Sequence, residues 1–230
     1  MSVTTSFQSG LFDLLSQRST TTELYLKPIN TVVFQDSTGN TVATSGDVNV
    51  TYSNGVVSVT CEFNADVTDT IATALIGNTY QGVFTAYFQV TNINTSVTQG
   101  NLYSFSATVT LSNLTLVNSP YSTATLNANK LVNIIGSILS GDPLHTGKTG
   151  QFFDAIYVVN TVSNVSQSFR IPITIATINP TLLIGGITPS PVIGNQIILR
   201  DSNQNDLVTV SSTSPIKIKK GRQIVFEFTF

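Results

Sequence analysis

The chain has 230 residues, of which 41% are hydrophobic and only 10% are charged. The hydrophobic share is enough for a folded core, which excludes a disordered chain. The charged share compares with roughly a quarter in an ordinary soluble protein. Because the net charge is −2, no basic field exists to hold nucleic acid, and we expect none as a partner. Ser, Thr and Asn replace the charges and offer groups that pair across an interface without desolvating an ion.

The N-terminal residues predict an arm that lies outside the main domain. Residues 1–22 are rich in Ser and Thr and lack the basic and apolar segments of a signal peptide. Their apolar patch, a candidate contact with a neighbouring molecule through one helical turn, consists of Leu11, Phe12, Leu14 and Leu15. A frayed terminus is the alternative. No run of about 18 apolar residues occurs, so we expect no membrane span.

Residues 23–230 show the short alternating runs of a β-sandwich domain, although the length also allows two small sandwiches. Asn54-Gly55 between alternating runs predicts a hairpin. The predicted strands lie near 31–35, 41–44, 48–52, 57–63, 82–92, 102–117, 152–160, 168–178, 195–200, 207–211, 215–219 and 223–230.

Two helices are predicted within this β pattern, at about 67–76 and 126–140. The first has capping candidates at Asp66 and Thr68 and a possible end at Gly77. The second has an apolar stripe formed by Leu131, Ile134, Ile135, Ile138 and Leu139. Helices inserted between the strands of a sandwich favour an all-β, jelly-roll-like antiparallel β-sandwich with two short helical insertions.

A weak internal repeat links the two halves of the chain. Residues 30–42 align without gaps on residues 195–207, which places Asp36 on Asp201, and the same offset places Glu62 on Glu227. We interpret this as two similar hairpins that share a turn, because the middle of the chain does not support a duplicated sandwich.

The candidate catalytic and metal motifs fail on spacing or on missing partners. Between Gly141 and Thr149 the chain is similar to a phosphate-binding loop, but it has one residue too many and follows a predicted helix instead of opening one. His145 is the single histidine and Cys61 the single cysteine, which predicts no His-based metal site and a buried thiol. We therefore predict no enzymatic activity, no cofactor and no small-molecule substrate.

Two features near the C-terminus are candidate partner contacts. The basic cluster comprises Lys217, Lys219, Lys220 and Arg222, and its alternative is a solvated hairpin tip that blocks edge aggregation. The last run places Phe226, Phe228 and Phe230 on one face. It is either the last strand of the sandwich or a strand donated to a neighbour.

The Ser/Thr-rich arm Ser2–Thr22, the low-charge strand Tyr103–Val117 and the terminus Ile224–Phe230 together resemble β-sandwich structural proteins of icosahedral viruses, especially viruses of hyperthermophilic archaea. The resemblance implies a jelly-roll capsid or turret subunit that is made in the host cytoplasm and resides in the virion. Its partners would be copies of itself and other virion proteins.

Two rival functions remain open. The first is an extracellular filament or surface-layer subunit, which would account for the sequons at Asn49, Asn94, Asn113 and Asn164. The second is a carbohydrate-binding β-sandwich module. The absence of Trp counts against the second, because sugar platforms are usually aromatic.

Overall fold

The computed structural model describes residues 2–16, 26–111, 115–116, 125–127, 129–141, 153–161, 167–178, 181–201 and 203–229. The elements of these residues are β1 (Ser2–Val3), α1 (Thr5–Ser16), β2 (Thr31–Gln35), β3 (Thr41–Ser45), β4 (Val48–Ser53), β5 (Val56–Asn64), β6 (Asp69–Tyr80), β7 (Val83–Val97), β8 (Leu102–Thr110), β9 (Thr115–Leu116), β10 (Thr125–Asn127), α2 (Asn129–Ser140), β11 (Ala155–Asn160), β12 (Gln167–Pro172), β13 (Thr174–Ile178), β14 (Thr181–Ile187), β15 (Val192–Arg200), β16 (Asp206–Ile218) and β17 (Gln223–Thr229).

The chain forms two compact units, each built from two antiparallel sheets, which confirms the all-β prediction. Unit 1 comprises Met1–Leu11, Glu23–Ser112 and Ile134–Lys148, and unit 2 comprises Phe12–Thr22, Asn113–Asn133 and Thr149–Phe230. The jelly-roll order of strands is a finer statement and stays a prediction.

Unit 1 contains a five-stranded sheet, which we call sheet 1, with the order β1-β7-β6-β2-β3. Its second sheet, sheet 2, has the order β4-β5-β8. Aromatic residues of the two sheets meet in the core, where the ring of Phe34 stacks on that of Phe63 with 4.0 Å between centroids. Phe105 of sheet 2 contacts Phe34 edge-on at 5.2 Å. Alternation along β5 and β8 aims these rings inward and sends polar residues to the opposite face.

The start of the predicted N-terminal arm docks on sheet 1 of unit 1, and residues 17–22 of the arm lie outside the described residues. Ser2 and Val3 pair with Gln89 and Phe88 of β7. The Thr4 hydroxyl accepts a hydrogen bond from the Phe7 amide at 3.2 Å, which caps the start of α1. Phe7 packs against Phe88 with 4.8 Å between ring centroids.

Unit 2 contains sheet 3, with the order β10-β16-β15-β11-β12, and sheet 4, with the order β13-β14-β17-β9. β11 is an interior strand of sheet 3, between β15 and β12, and five successive residues at 155–159 are buried. A strand that is buried on both faces needs such a continuous apolar run. Gly186 of β14 lies against Ile171 and Ile156 of sheet 3, where a side chain would clash.

The two predicted helices have different outcomes. α2 confirms the second one, with Leu131, Ile135, Ile138 and Leu139 buried as predicted. The helix predicted at 67–76 is wrong, because Asp69–Tyr80 forms β6 between β2 and β7. Thr68 does not cap a helix; its hydroxyl accepts a hydrogen bond from the Gln99 amide at 2.9 Å.

Candidate interaction surfaces

The basic cluster lies at a turn between two different sheets of unit 2. Lys219–Arg222 joins β16 of sheet 3 to β17 of sheet 4, so the predicted hairpin is wrong. Along β16, Ile216 and Ile218 are buried while Lys217 between them is exposed. Lys219, Lys220 and Arg222 are exposed as well.

Thr188, which is fully buried, holds this turn in one conformation. Its hydroxyl donates to the carbonyl oxygen of Lys219 at 2.7 Å and accepts from the amide of Arg222 at 3.1 Å. Its carbonyl oxygen accepts from the amide of Gly221 at 2.8 Å. The positive φ of 75° at Gly221 suits a residue without a side chain. The cations are therefore carried by an ordered backbone.

Two exposed isoleucines lie beside the cations. Ile193 is 53% exposed and pairs with Lys217 across the two strands, and Ile187 at the end of β14 is 63% exposed. Within the described part of the chain, none of the four cations forms an ion pair. We call this surface the basic end, defined by Lys217, Lys219, Lys220, Arg222, Ile187 and Ile193. Sequence reasoning missed Ile187 because it placed no strand at 181–187, and it missed Ile193 because it began the next strand at 195.

The aromatic terminus and the N-terminal patch offer less surface than the sequence indicated. β17 pairs with β14 and β9 inside sheet 4, and Phe226 is only 2% exposed. The run is thus a strand of its own sandwich, and Phe226 has no surface for a partner. The side chain of Phe228 and all of Phe230 lie outside the described residues.

Leu11 of the N-terminal patch is completely buried and is therefore unavailable to a neighbour. Leu14 is half-buried, and the side chains of Phe12 and Leu15 lie outside the described residues.

A broad polar face lies on the outer side of sheet 2. The side chains that face outward are mostly hydroxyls and amides, with Glu62 as the one charge on the strands and Val56 and Leu102 as the apolar members: Asn49, Thr51, Ser53, Val56, Ser58, Thr60, Glu62, Asn64, Leu102, Ser104, Ser106, Thr108 and Thr110. A shallow groove crosses this face between Asp47, Asn49, Glu62 and Ser104. Its described lining has no exposed aromatic platform, because Tyr80, the exposed aromatic residue of the described chain, is not part of it.

β8 borders this face as an edge strand. All nine of its residues pair in unbroken register with β5, from Leu102 opposite Asn64 to Thr110 opposite Val56. In the described residues no strand pairs with its other side. β8 contains no charged residue, no Pro and no bulge.

The described residues contain no cluster of three or more potential metal ligands, and no described helix has the length and hydropathy to cross a membrane. Cys61 is buried, as predicted, and burial raises the pKa of its thiol. The segment similar to a phosphate-binding loop, including His145, lies outside the described residues beyond Gly141.

Comparison with known proteins finds no family model, no curated protein and no solved structure that matches the chain. Its function must therefore be inferred from its own surfaces.

Proposed function

We propose that the chain is a structural subunit that assembles by packing uncharged β surfaces against copies of itself, and more specifically that it is a capsid or turret subunit of a virion. The proposal rests on β8, an edge strand of nine residues without any charge. The outer face of sheet 2, with Glu62 as its one charge, adjoins this edge and extends the same surface.

An unprotected edge strand favours a partner. Monomeric β proteins block their edges with Lys, Pro, bulges or covering segments, because unpaired N–H and C=O groups recruit other strands. β8 has none of the first three devices along Leu102–Thr110. A second copy would satisfy these backbone groups by adding a strand, a common mode of recognition.

The outer face of sheet 2 suits close packing for a related reason. Burying an ion costs much more than burying a hydroxyl or amide that finds a hydrogen-bond partner. Of the residues that point outward from β4, β5 and β8, Glu62 is the one that carries a charge. A neighbour can therefore cover this face with little electrostatic cost.

The test is the assembly state of the purified full chain, measured by sedimentation velocity and electron microscopy. We expect the wild type to form large particles, and Ser106→Lys with Thr108→Lys on β8 to abolish them. Thr213→Lys, on an exposed residue of β16 in unit 2, is the matched control and should assemble normally.

The outcomes separate the rival functions. Closed shells or rings would favour the virion subunit, whereas open fibres or flat lattices would favour the filament or surface-layer subunit. A chain that stays monomeric and binds glycans would overturn the proposal and favour a carbohydrate-binding module.

A further inference from the structure

We infer that copies of the chain contact one another head to tail, with the basic end of unit 2 of one copy against an acidic end of unit 1 of the next. This inference rests on the proposed self-assembly and names the surfaces that carry one of its contacts.

Charge is divided unevenly between the two units. The described residues of unit 1 carry five carboxylates and one cation, whereas those of unit 2 carry five carboxylates and seven cations. A chain with few charges overall is thus negative in one unit and positive in the other. Opposite potentials of this kind orient two molecules as they approach.

Three of the five described carboxylates of unit 1 lie at one end of sheet 1. Asp36 directly follows Gln35, the last residue of β2, which pairs with Thr73 of β6. Because the two strands are antiparallel, β6 begins at Asp69, beyond this end of β2. The amide of Asp66 donates to the carbonyl oxygen of Val42, next to the Asp36 turn. Asp66 and Asp69 are exposed, and Val67 between them is 43% exposed. We call Asp36, Asp66, Val67 and Asp69 the acidic end.

The one described cation of unit 1 is remote from this end. The ammonium of Lys27 lies 3.0 Å from the centre of the Tyr80 ring, and Tyr80 is the last residue of β6 whereas Asp69 is its first. Ten residues of extended strand lie between the two positions, which places them more than about 30 Å apart at about 3.3 Å per residue. Lys27, the one described cation of unit 1, therefore does not neutralise the acidic end.

The two ends match in apolar surface as well as in charge. Each combines exposed aliphatic side chains, Val67 at one and Ile187 and Ile193 at the other, with charges around them. An apolar centre with a polar rim is the usual anatomy of a protein interface. The described ion pairs, Arg170 with Asp154 and Arg200 with Asp206, both lie in unit 2 and use none of these charges.

Such a contact joins two different surfaces and therefore has direction. Repeated from copy to copy, it closes into a ring or continues as a filament, depending on the rotation between neighbours. The edge of β8 and the outer face of sheet 2 remain free for a second kind of contact.

A charge-swap experiment tests the inference. The basic variant carries Lys219→Glu, Lys220→Glu and Arg222→Glu, and the acidic variant carries Asp66→Lys and Asp69→Lys. Sedimentation velocity at low and high ionic strength should show each variant associating at least roughly tenfold more weakly than the wild type. An equimolar mixture should recover association, because each altered end then meets its complement. Lys130→Glu, an exposed cation of unit 2 remote in sequence from the basic end, is the control and should behave as wild type.

The results distinguish this inference from the proposed function. If the wild type and both variants associate equally, the charged contact is overturned and packing by uncharged faces stands. If the variants dissociate but their mixture does not recover, the two ends do not face each other and the inference is likewise overturned. A wild type that is monomeric at every concentration overturns both.

Discussion

Asp36 shows how a single side chain closes a turn in this chain. Its carboxylate accepts hydrogen bonds from the amide and hydroxyl of Thr38, each at 2.8 Å, and from the amide of Asn40 at 2.9 Å. Asp201 repeats the arrangement, accepting from the amides of Asn203 and Asn205 at 2.9 and 2.8 Å. The weak repeat in the sequence is therefore a repeated structure, since a carboxylate can replace the backbone as the acceptor in a turn.

The hydrogen bonds of Asp36 predict how this turn responds to acid. The Thr38 hydroxyl first, and then Asn40, lower the pKa of the carboxyl from 3.8 to about 2. Because the folded pKa lies below the unfolded one, the stabilisation is present above about pH 4 and is lost as pH falls through about 2. We expect Thr38→Ala to raise the pKa of Asp36 towards 3.8, as measured by carboxyl NMR titration.

Thr38→Ser is the matched control for this titration, because it keeps the hydroxyl donor. It should leave the pKa of Asp36 near 2. An unchanged pKa in Thr38→Ala would show that the hydroxyl is not the main cause of the shift.

At the scale of elements, local patterns predicted structure well where one short segment determined it. Asn54-Gly55 predicted a tight hairpin, and Ser53 pairs with Val56 across it with positive φ at both turn residues. The stripe of α2 is likewise a property of its own residues. These elements need little information from distant parts of the chain.

Local patterns failed where distant pairing decided the element. The segment 70–76 contains Ala and Leu at helical spacing, but it pairs along its length with β7 and, from Thr73 onward, also with β2 on its other side. Bulges after Ile71 and Ile76 break the strict alternation that would have indicated a strand. The same lack of pairing information hid β14 and, with it, Ile187 of the basic end.

The contact of α2 with β4 depends on a glycine. A Cβ atom at Gly136 would lie 2.6 Å from Cγ of the Tyr52 ring. We expect Gly136→Ala to lower the free energy of unfolding by about 1–3 kcal/mol, measured by urea denaturation, because the helix and the ring must move apart.

A double-mutant cycle separates this clash from other effects of the substitution. In a Tyr52→Ala background the added methyl group has room, so Gly136→Ala should cost little or even stabilise the helix. An equal cost in both backgrounds would contradict the proposed contact.

At the scale of the whole molecule, the two units have the same spatial order of strands in one sheet, although the strands follow one another along the chain in a different order. Sheet 1 contains β7-β6-β2-β3 as neighbours, and sheet 3 contains β12-β11-β15-β16 in the matching order. The offset of the sequence repeat places β2 on β15, β3 on β16 and β5 on β17. β6, β7 and β8 follow these strands in unit 1, whereas β11, β12 and β14 precede them in unit 2. A permuted order hides such a relation from an ungapped sequence alignment, which is why the middle of the chain showed no repeat.

We expect the path of the chain to couple the stability of the two units. The chain passes between them five times, and α2 is divided, with Asn129–Asn133 in unit 2 and the residues from Ile134 in unit 1. Half of a 12-residue helix is not stable alone in water. Loss of either unit therefore removes buried side chains of α2 from the other, and we expect one cooperative unfolding transition.

Because the chain lacks Trp, single reporters can follow each unit separately. Tyr103→Trp in unit 1 and Phe169→Trp in unit 2 replace half-buried aromatic residues. The steric clash caused by Gly77→Ala lies within unit 1, because the added methyl group would meet the carbonyl oxygen of Thr85 and lie 2.9 Å from Cα of Ala86. In urea denaturation followed by fluorescence, we expect the two reporters to show the same midpoint. Gly77→Ala should lower the free energy of unfolding by about 1–3 kcal/mol, and by the same amount with either reporter.

Gly46→Ala provides the control for this last prediction, because a methyl group at Gly46 would meet no atom within 4 Å. With either tryptophan reporter, it should change the free energy of unfolding by no more than about 0.5 kcal/mol. If Gly77→Ala shifts the reporter in unit 1 and leaves the one in unit 2 unchanged, the units unfold independently. The part of α2 that belongs to unit 2 would then stay helical after the part in unit 1 had unfolded, which is not expected of so short a helix.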